Sequence, residues 1–351
     1  METKIVFEDE NDIDQEALKE AGRILRSGGL VAFPTETVYG LGGDALNPES
    51  SRKIYAAKGR PSDNPLIVHI ADMEHLSAIV AEIPGEAYVL AEAFWPGPLT
   101  MIFKKSELVP LETTGGLDTV AVRMPSNKIA RAFIEASGGY VAAPSANLSG
   151  RPSPTLARYV IEDMNGRIEM IIDGGASEVG LESTIVDLTE GKPVILRPGF
   201  ITEAMLEKAL KEEVYWDRAI IDSDSKTPPK APGMKYRHYA PKAPLTIVEG
   251  EKENVARRIN ELGLKDQRNG LKVGVIATEE TISSYDPSFN VKSAGHKGNE
   301  GDAAHYLFRI LREFDDEETD VIYSESFEGN GVARATMNRL MKAAGHKVLK
   351  A

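Results

Sequence analysis

Short apolar segments alternate with helical patterns along most of this chain. The segments LVAFP, PLIVHI, LTMIF, TVAVRM, YVAAP, MIID, TIVDL and VILRP are bounded largely by Gly, Pro and polar residues, and each is too short for a helix. Between them, DQEALKEAGRILRSGG and SRKIYAAK place apolar residues at helical spacing,. The pattern predicts an α/β fold with one large twisted sheet in the first part of the chain.

A proline-rich segment, DSDSKTPPKAPGMKYRHYAPKAP, follows this first part and is typical of an extended, semi-rigid linker. After it, LTIVEG, LKVGVIAT, FNVKSAG and TDVIYSES alternate with the helical patterns KENVARRINEL, DAAHYLFRILREF and VARATMNRLMKAAG. This alternation predicts a small Rossmann-like parallel α/β domain. We therefore place a first domain at residues 1–217, a linker at 218–243 and a C-terminal domain at 244–351.

Composition and charge narrow the class of protein. The 351 residues include 41 Lys and Arg against 54 Asp and Glu, a net charge of −13. A protein with this net negative charge repels the phosphate backbone of nucleic acids, so we expect no stable nucleic-acid binding. The absence of cysteine excludes disulfides, thiolate nucleophiles and cysteine metal sites,. The start of the chain lacks the apolar region of a signal peptide, and no run is long enough to span a membrane,. We expect a cytoplasmic protein without membrane contact.

Several familiar ligand motifs do not occur in the sequence. The chain has no G-x-x-x-x-G-K-[ST], and YGLGGDAL does not fit G-x-G-x-x-G,. The His residues are dispersed and none shows H-E-x-x-H spacing, so we predict no protein metal site.

Polar side chains instead collect where predicted strands begin or end. In open α/β sheets this is where ligands bind, and cations there can hold a polyphosphate or a carboxylate. Taken one at a time, each residue is more typical of a turn or a satisfied core position than of a ligand contact. The set comprises Thr35, Glu36, Thr37, Lys58, Arg60, Asn64, His69, Thr119, Arg123, Ser145, Asn147, Ser153, Ser183, Thr184 and Arg197.

Arg123 stands out because it ends the alternating apolar strand DTVAVRMP. A buried arginine needs an anionic partner. Two partners are possible at this point, an internal carboxylate and the carboxylate or phosphate of a ligand.

Two paired motifs make the chain recognisable. K-x-R stands as Lys58-Gly59-Arg60 and S-x-N as Ser145-Ala146-Asn147, within KGRPSDNPLIVHI and APSANLSG. PTETVYGLG, FWPGPLT, AVRMP, ESTIVD and LRPG accompany them. With these motifs in order over roughly residues 14–215, and with APGMKYRHYAP as linker, the chain resembles the long, two-domain form of the YrdC-type L-threonylcarbamoyladenylate synthases.

The resemblance implies a nucleotidyltransferase reaction. L-Threonine, bicarbonate or CO2, and ATP give threonylcarbamoyl-AMP and pyrophosphate, and Mg2+ enters with the ATP. The product serves the synthesis of N6-threonylcarbamoyladenosine at position 37 of certain tRNAs, where a separate transferase takes it up.

The resemblance also assigns roles, motif by motif. Lys58, Arg60, Ser145 and Asn147 are expected to be the catalytic residues of the YrdC-like first domain. The ATP contacts are expected to be Lys58, Arg60, Asn64, Thr119, Ser145, Asn147, Ser153 and Arg197. The threonine pocket is expected to comprise Thr35, Thr37, His69, Arg123, Ser183 and the backbone at Ala143.

The linker carries more than a spacer needs. Aromatic and basic residues alternate in it, as Met234, Lys235, Tyr236, Arg237, His238 and Tyr239. We predict a lid over the nucleotide, with Tyr236 contacting the ligand and Gly233 providing the bend. The alternative is that the aromatic residues only dock the linker on the surface of one domain.

Two other functions fit parts of these observations. The hydrogenase-maturation carbamoyltransferases contain a related module, but they carry an acylphosphatase region and cysteine zinc motifs. A double-stranded-RNA-binding module is the alternative from a different class, suggested by the concave basic face of this fold. The net charge of −13 weighs against RNA binding,.

Overall fold

The computed structural model describes residues 2–217, 220, 231, 239–327 and 329–351. The chain divides into two compact units. The first comprises Met1–Ser149 and Ser153–Tyr236, and the second comprises Gly150–Pro152 and Arg237–Ala351. The predicted linker lies mostly outside the described residues, so the predicted domain limits stay a prediction. Among the described residues, no helix has the length and apolar character needed to cross a membrane.

The first unit is built on a mixed sheet of 11 strands, in the order β1-β8-β2-β3-β7-β4-β6-β5-β9-β10-β11. This confirms the predicted large sheet. The strands are β1 (Lys4–Phe7), β2 (Val31–Phe33), β3 (Gly40–Asp44), β4 (Ile67–His69), β5 (Leu99–Lys104), β6 (Thr119–Arg123), β7 (Val141–Ala143), β8 (Met170–Asp173), β9 (Thr184–Asp187), β10 (Val194–Arg197) and β11 (Tyr215–Trp216).

Helices with conventional start and stop signals surround this sheet. Asp14 caps the first helix by accepting from the Glu16 and Ala17 amides, and Gly59 ends the second in the left-handed conformation (φ 62°),. The helices are α1 (Gln15–Arg26), α2 (Pro48–Lys58), α3 (Leu76–Ile79), α4 (Gly85–Phe94), α5 (Lys128–Ala136), α6 (Ala157–Met164) and α7 (Glu203–Leu210), with a 3₁₀ turn at Met73–His75.

The alternation of side chains gives the sheet two different faces. One face, with Val120 and Val122 of β6, belongs to the main core under α2, α4 and α6. On the opposite face, α1 and α5 cover the end formed by β2, β7 and β8. The rest of that face, over β4, β5, β6, β9 and β10, carries the smaller cluster Ile67, Ile102, Ala121, Ile185, Leu196 and Ala231. We call this region the open face, because its cluster includes no helix residue from the described part of the chain.

Strand β3 has the sequence GLGGD, and its glycines are required by packing. A Cβ on Gly40 would lie 2.9 Å from the Phe33 ring, and one on Gly42 would lie 2.9 Å from Val141 Cγ1. Both neighbours are buried in the core, so the strand accepts no side chain at either position.

The second unit is a five-stranded sheet in the order β14-β13-β15-β12-β16, and all its pairings are parallel. This confirms the predicted small parallel α/β domain. Its elements are β12 (Leu245–Glu249), α8 (Lys252–Arg268), β13 (Val273–Ala277), a 3₁₀ turn at Ile282–Ser284, β14 (Asn290–Ser293), α9 (Glu300–Asp316), β15 (Val321–Glu325), α10 (Val332–Ala343) and β16 (Val348–Lys350).

Candidate active site

The open face collects predicted site residues from neighbouring strands. His69 of β4 pairs with Arg123 of β6, and Arg123 pairs with Thr100 of β5. Thr119 lies on the same face as Arg123, because the two residues are four positions apart on one strand. Ala143 of β7 pairs with Ile67 and shares this face as well. The sheet register alone therefore brings together residues predicted for both substrates.

Lys58 connects the K-x-R motif to the S-x-N motif. Its side chain is buried, and Nζ donates to the carbonyls of Ser145 and Asn147, the latter at 2.6 Å. The Ser145 hydroxyl in turn donates to Asn147 Oδ1 at 2.5 Å, and the Ser149 amide donates to the Lys58 carbonyl at 2.9 Å. The ammonium group thus fixes the shape of the S-x-N loop and leaves a buried positive charge beside it.

Arg60 closes the basic turn that precedes β4. It donates from Nε and Nη2 to the Asn64 carbonyl, both at 3.3 Å, and from Nη2 to the Pro65 carbonyl at 3.1 Å. Asn64 is buried, and its Oδ1 has no hydrogen-bond partner within the described part of the chain. Thr119 precedes Ala121, the partner of Ile67, by two residues, which places it level with Pro65. These residues therefore occupy the same end of the open face.

Arg123 has an internal carboxylate as its partner. Nη2 lies 2.7 Å from Glu36 Oε1, and both side chains are buried, with 5% and 4% exposed. Nη1 donates to Thr37 Oγ1 at 2.8 Å, and Nε points to the Gly97 carbonyl at 3.4 Å. A guanidinium has five N–H groups, so these contacts leave N–H groups on both terminal nitrogens for a ligand.

Thr35 shapes the turn that carries Thr37. Its hydroxyl lies 2.9 Å from the Thr37 hydroxyl and accepts from the amides of Thr37 and Val38, both at 3.2 Å. Thr35 is thereby committed to its own turn, whereas Thr37 faces Arg123.

His69 is neutral across the physiological range. Burial, and then the charge of Arg123, lower its pKa to about 3. Its Nδ1 lies 3.1 Å from the Ile67 carbonyl, and the ring also interacts with the Val141 backbone. The residue therefore contributes shape and no positive charge.

Ser183 and Arg197 form the far side of the open face. Arg197 is buried and donates from Nε to the Ser183 carbonyl at 3.0 Å and from Nη2 to the Ser183 hydroxyl at 3.1 Å. That hydroxyl also lies 2.7 Å from the Thr100 hydroxyl. Since Thr100 pairs with Arg123 across β5 and β6, this group adjoins the Arg123 group.

Ser153, predicted as a nucleotide contact, is buried and donates to Glu182 Oε1 at 2.6 Å. The structure thus gives it an internal partner, next to Ser183 in sequence.

Ala231 belongs to the predicted linker and is completely buried against the open face. Tyr236 and the other aromatic and basic positions at 232–238 lie outside the described residues. The predicted contact of Tyr236 with the ligand therefore stays a prediction.

Sequence reasoning placed Glu36 beside Thr35 and Thr37 at the end of a strand without giving it a role, and it did not name Thr100 or Glu182. Each is buried and polar, and each partners a residue that was predicted. Glu36 and Glu182 lie inside PTETVYGLG and LESTIVDL. The sequence signal for their burial was a carboxylate within a segment of largely apolar or small residues.

Comparison with known proteins shows that the two α/β units, with buried cations in the first, are those of a nucleotidyltransferase-type enzyme. A family model described as "Telomere recombination" matches residues 23–199, and one described as "Threonylcarbamoyl-AMP synthase, C-terminal domain" matches residues 201–345. The chain belongs to the threonylcarbamoyl-AMP synthase family.

Individual relatives are similar in sequence to this chain over nearly its whole length. The threonylcarbamoyl-AMP synthase of Pyrococcus abyssi is 50% identical over 338 residues, which are 96% of this chain and 97% of that protein. The Bacillus subtilis protein of the same name is 46% identical and covers 100% of both chains. The crystal structure of P. abyssi Sua5 complexed with L-threonine superposes with a TM-score of 0.93 at 48% identity, covering 99% of this chain and 100% of that one.

Proposed function

We propose that this protein makes threonylcarbamoyl-AMP and pyrophosphate from L-threonine, bicarbonate or CO2, and ATP. The observation that carries the proposal is a set of three buried cations, Lys58, Arg123 and Arg197, each in a segment where the sequence predicted a ligand contact. The similarity of this chain to P. abyssi Sua5, whose crystal structure is a complex with L-threonine, supports the choice of amino acid.

The chemistry requires such cations. The carboxylate of N-carboxylated threonine attacks the α-phosphorus of ATP, a new P–O bond forms, and the bond to the bridging oxygen breaks to release pyrophosphate. Two anions must meet, so fixed positive groups are needed to hold them and to stabilise charge in the transition state. A carboxylate attacks directly, so the reaction needs no side-chain nucleophile.

The triphosphate is assigned to the end of the face that holds the basic turn. Lys58 and Arg60 would supply charge there, while Asn64, Thr119, Ser145 and the remaining predicted contacts would orient the nucleotide. Lys58 already fixes the shape of the S-x-N loop, so this part of the site is organised before ATP binds. No group of three or more Asp, Glu or His residues in the described ranges could hold a metal ion. Mg2+ would enter as the ATP complex.

The amino acid is assigned to the end that holds Arg123. The two terminal nitrogens of Arg123 retain N–H groups for the threonine carboxylate. The hydroxyls of Thr37 and Ser183 would meet the threonine hydroxyl, and neutral His69 would close the pocket. The carboxylate of Glu36 keeps the guanidinium in place when no ligand is bound.

The linker is proposed to act as the lid over this face. The complete burial of Ala231 within the apolar cluster of the open face supports the proposal. Such a cover would exclude water from the mixed anhydride. The product would then pass to a separate transferase that modifies adenosine 37 of tRNA.

The direct test is pyrophosphate release with ATP, Mg2+ and bicarbonate, in the presence of threonine, serine or no amino acid. We expect the fastest release with threonine and almost none without an amino acid. Lys58→Met should abolish it, whereas Lys53→Met, an exposed lysine on the same helix, should not. Equal release without an amino acid would contradict the proposal.

A further inference from the structure

The second unit has a cavity of about 500 Å3 at the carboxyl edge of its sheet. Thr278, directly after β13, and Glu325, the last residue of β15, both line it. From β13 the chain runs to β14, and from β15 it runs in the opposite direction along the sheet, to β16. The cavity therefore lies at the switch point of a parallel sheet, where open α/β folds bind their ligands.

The wall formed by the loop after β14 is already held in shape. The Lys297 amide donates to Glu280 Oε2 at 3.0 Å, and His296 Nδ1 lies 3.1 Å from Glu280 Oε1. The Lys297 amide is the main reason why the pKa of Glu280 is lowered to about 2. The His296 amide also donates to Asp302 Oδ2 at 3.2 Å. A wall fixed by these bonds is typical of a site formed before its ligand binds.

One side of the cavity favours a negative group. Helix α8 begins there at Lys252, and its N-cap, Glu251, makes no side-chain hydrogen bond to the first turn. The positive end of a 17-residue helix thus faces the cavity,. Lys252 and Lys297 line the same space, and their two cationic side chains offset the carboxylate of Glu251, which also lines it.

The other side offers acceptors and an aromatic ring. The buried carboxylate of Glu325 accepts from the Tyr285 hydroxyl and from the Thr278 amide, at 3.3 Å. Burial and the Glu325 charge raise the pKa of Tyr285, so Tyr285 stays a donor. A carboxylate fixed in this way has further lone pairs for hydroxyl groups. Phe327, half-buried, also lines the cavity and provides a surface on which a base can stack,.

We propose that this cavity binds a nucleoside monophosphate. The phosphate would lie at the start of α8, the sugar hydroxyls at Glu325, and the base against Phe327. The volume lies within the usual range for small-molecule sites, roughly 300–1,000 Å3. The site lies in the second unit and shares no residue with the proposed active site, so it does not depend on the proposed reaction.

Calorimetric titration of the full chain with AMP tests the site. Asn254 lines the cavity from the first turn of α8, and Asn254→Trp should fill it. Lys265→Trp, at an exposed position near the other end of the same helix, is the matched control. We expect the Asn254→Trp chain to bind one equivalent of AMP fewer than the control chain. Equal stoichiometry in the two folded variants would overturn the proposal.

A second variant keeps the test valid if Asn254→Trp does not fold. Lys297→Glu should weaken the same binding event severalfold, with Lys265→Glu as its control. Adenosine should bind this site far more weakly than AMP. Adenosine binding as tight as AMP binding, or no effect of Lys297→Glu, would remove the phosphate from the argument and refute the assignment.

Discussion

Separating the two charges of the buried Arg123–Glu36 pair should destabilise the first unit strongly, and removing both should not. Arg123→Met leaves a carboxylate with 4% exposure and no guanidinium at 2.7 Å. Breaking a buried pair in this way costs about 3–5 kcal/mol, whereas replacing both partners by uncharged groups of similar volume is often close to neutral. We therefore expect the Arg123→Met, Glu36→Gln double variant to be more stable than Arg123→Met, with a coupling free energy of about 3 kcal/mol, the upper end of the range for residues in contact.

Tryptophan fluorescence during urea unfolding is a suitable assay. Both tryptophans of the chain, Trp95 and Trp216, belong to the first unit, so the signal follows the unit that holds the pair. Calorimetry on the same variants should show that threonine binding is lost in Arg123→Met while ATP binding is retained. A coupling free energy below about 0.5 kcal/mol would refute the energetic pairing. Unchanged threonine affinity in folded Arg123→Met would refute the ligand role.

The other predictions concern rate, pH, selectivity and the linker. Lys58→Ala and Arg60→Ala should lower kcat more than they raise the KM for threonine, and steady-state pyrophosphate release would show normal turnover if the basic turn were not involved. Because the pKa of His69 falls to about 3 on folding, the unfolded chain binds the proton more readily, and stability should drop as pH falls below about 6.5. His69→Gln should flatten that drop in urea unfolding between about pH 6 and 4, and an equally steep loss would exclude His69 as its source. Valine should compete with threonine less well than serine does, because it leaves the pocket hydroxyls unpaired, and the reverse order would contradict the pocket. Ala231→Asp should expose the linker to limited proteolysis and raise the KM for ATP, whereas unchanged cleavage and activity would reduce the linker to a tether.

The fold was largely predictable because apolar runs bounded by turn residues fix buried strands whatever their neighbours are. The strands containing Ile67, Ala121 and Ala143 were predicted on that basis and are present. Strand β3 was not, since glycine is depleted in strands. Its glycines are explained by the Phe33 ring and by Val141, which approach only in the folded sheet.

The burial of a candidate residue could be predicted from the sequence, and its contacts could not. Arg123 was singled out because a cation ended an apolar strand, and burial confirmed that reasoning. Its partner, Glu36, lies far away in sequence, and no local pattern connects the two. In the same way, Lys58 was expected to meet phosphate, whereas its first task in the fold is to hold the Ser145 and Asn147 carbonyls.

The residue spacing along strand β6 also fixes the distance between the two ends of the proposed site. Thr119 and Arg123 stand on one face with Ala121 between them, and four residues of strand span about 13 Å. That distance separates the end of the site assigned to the nucleotide from the end assigned to the amino acid. Inserting or deleting one residue between Thr119 and Arg123 would change this distance and would also turn one of the two side chains to the opposite face of the sheet. The spacing of the two residues is therefore fixed, and selectivity for other substrates can change only through the size of the side chains on this strand.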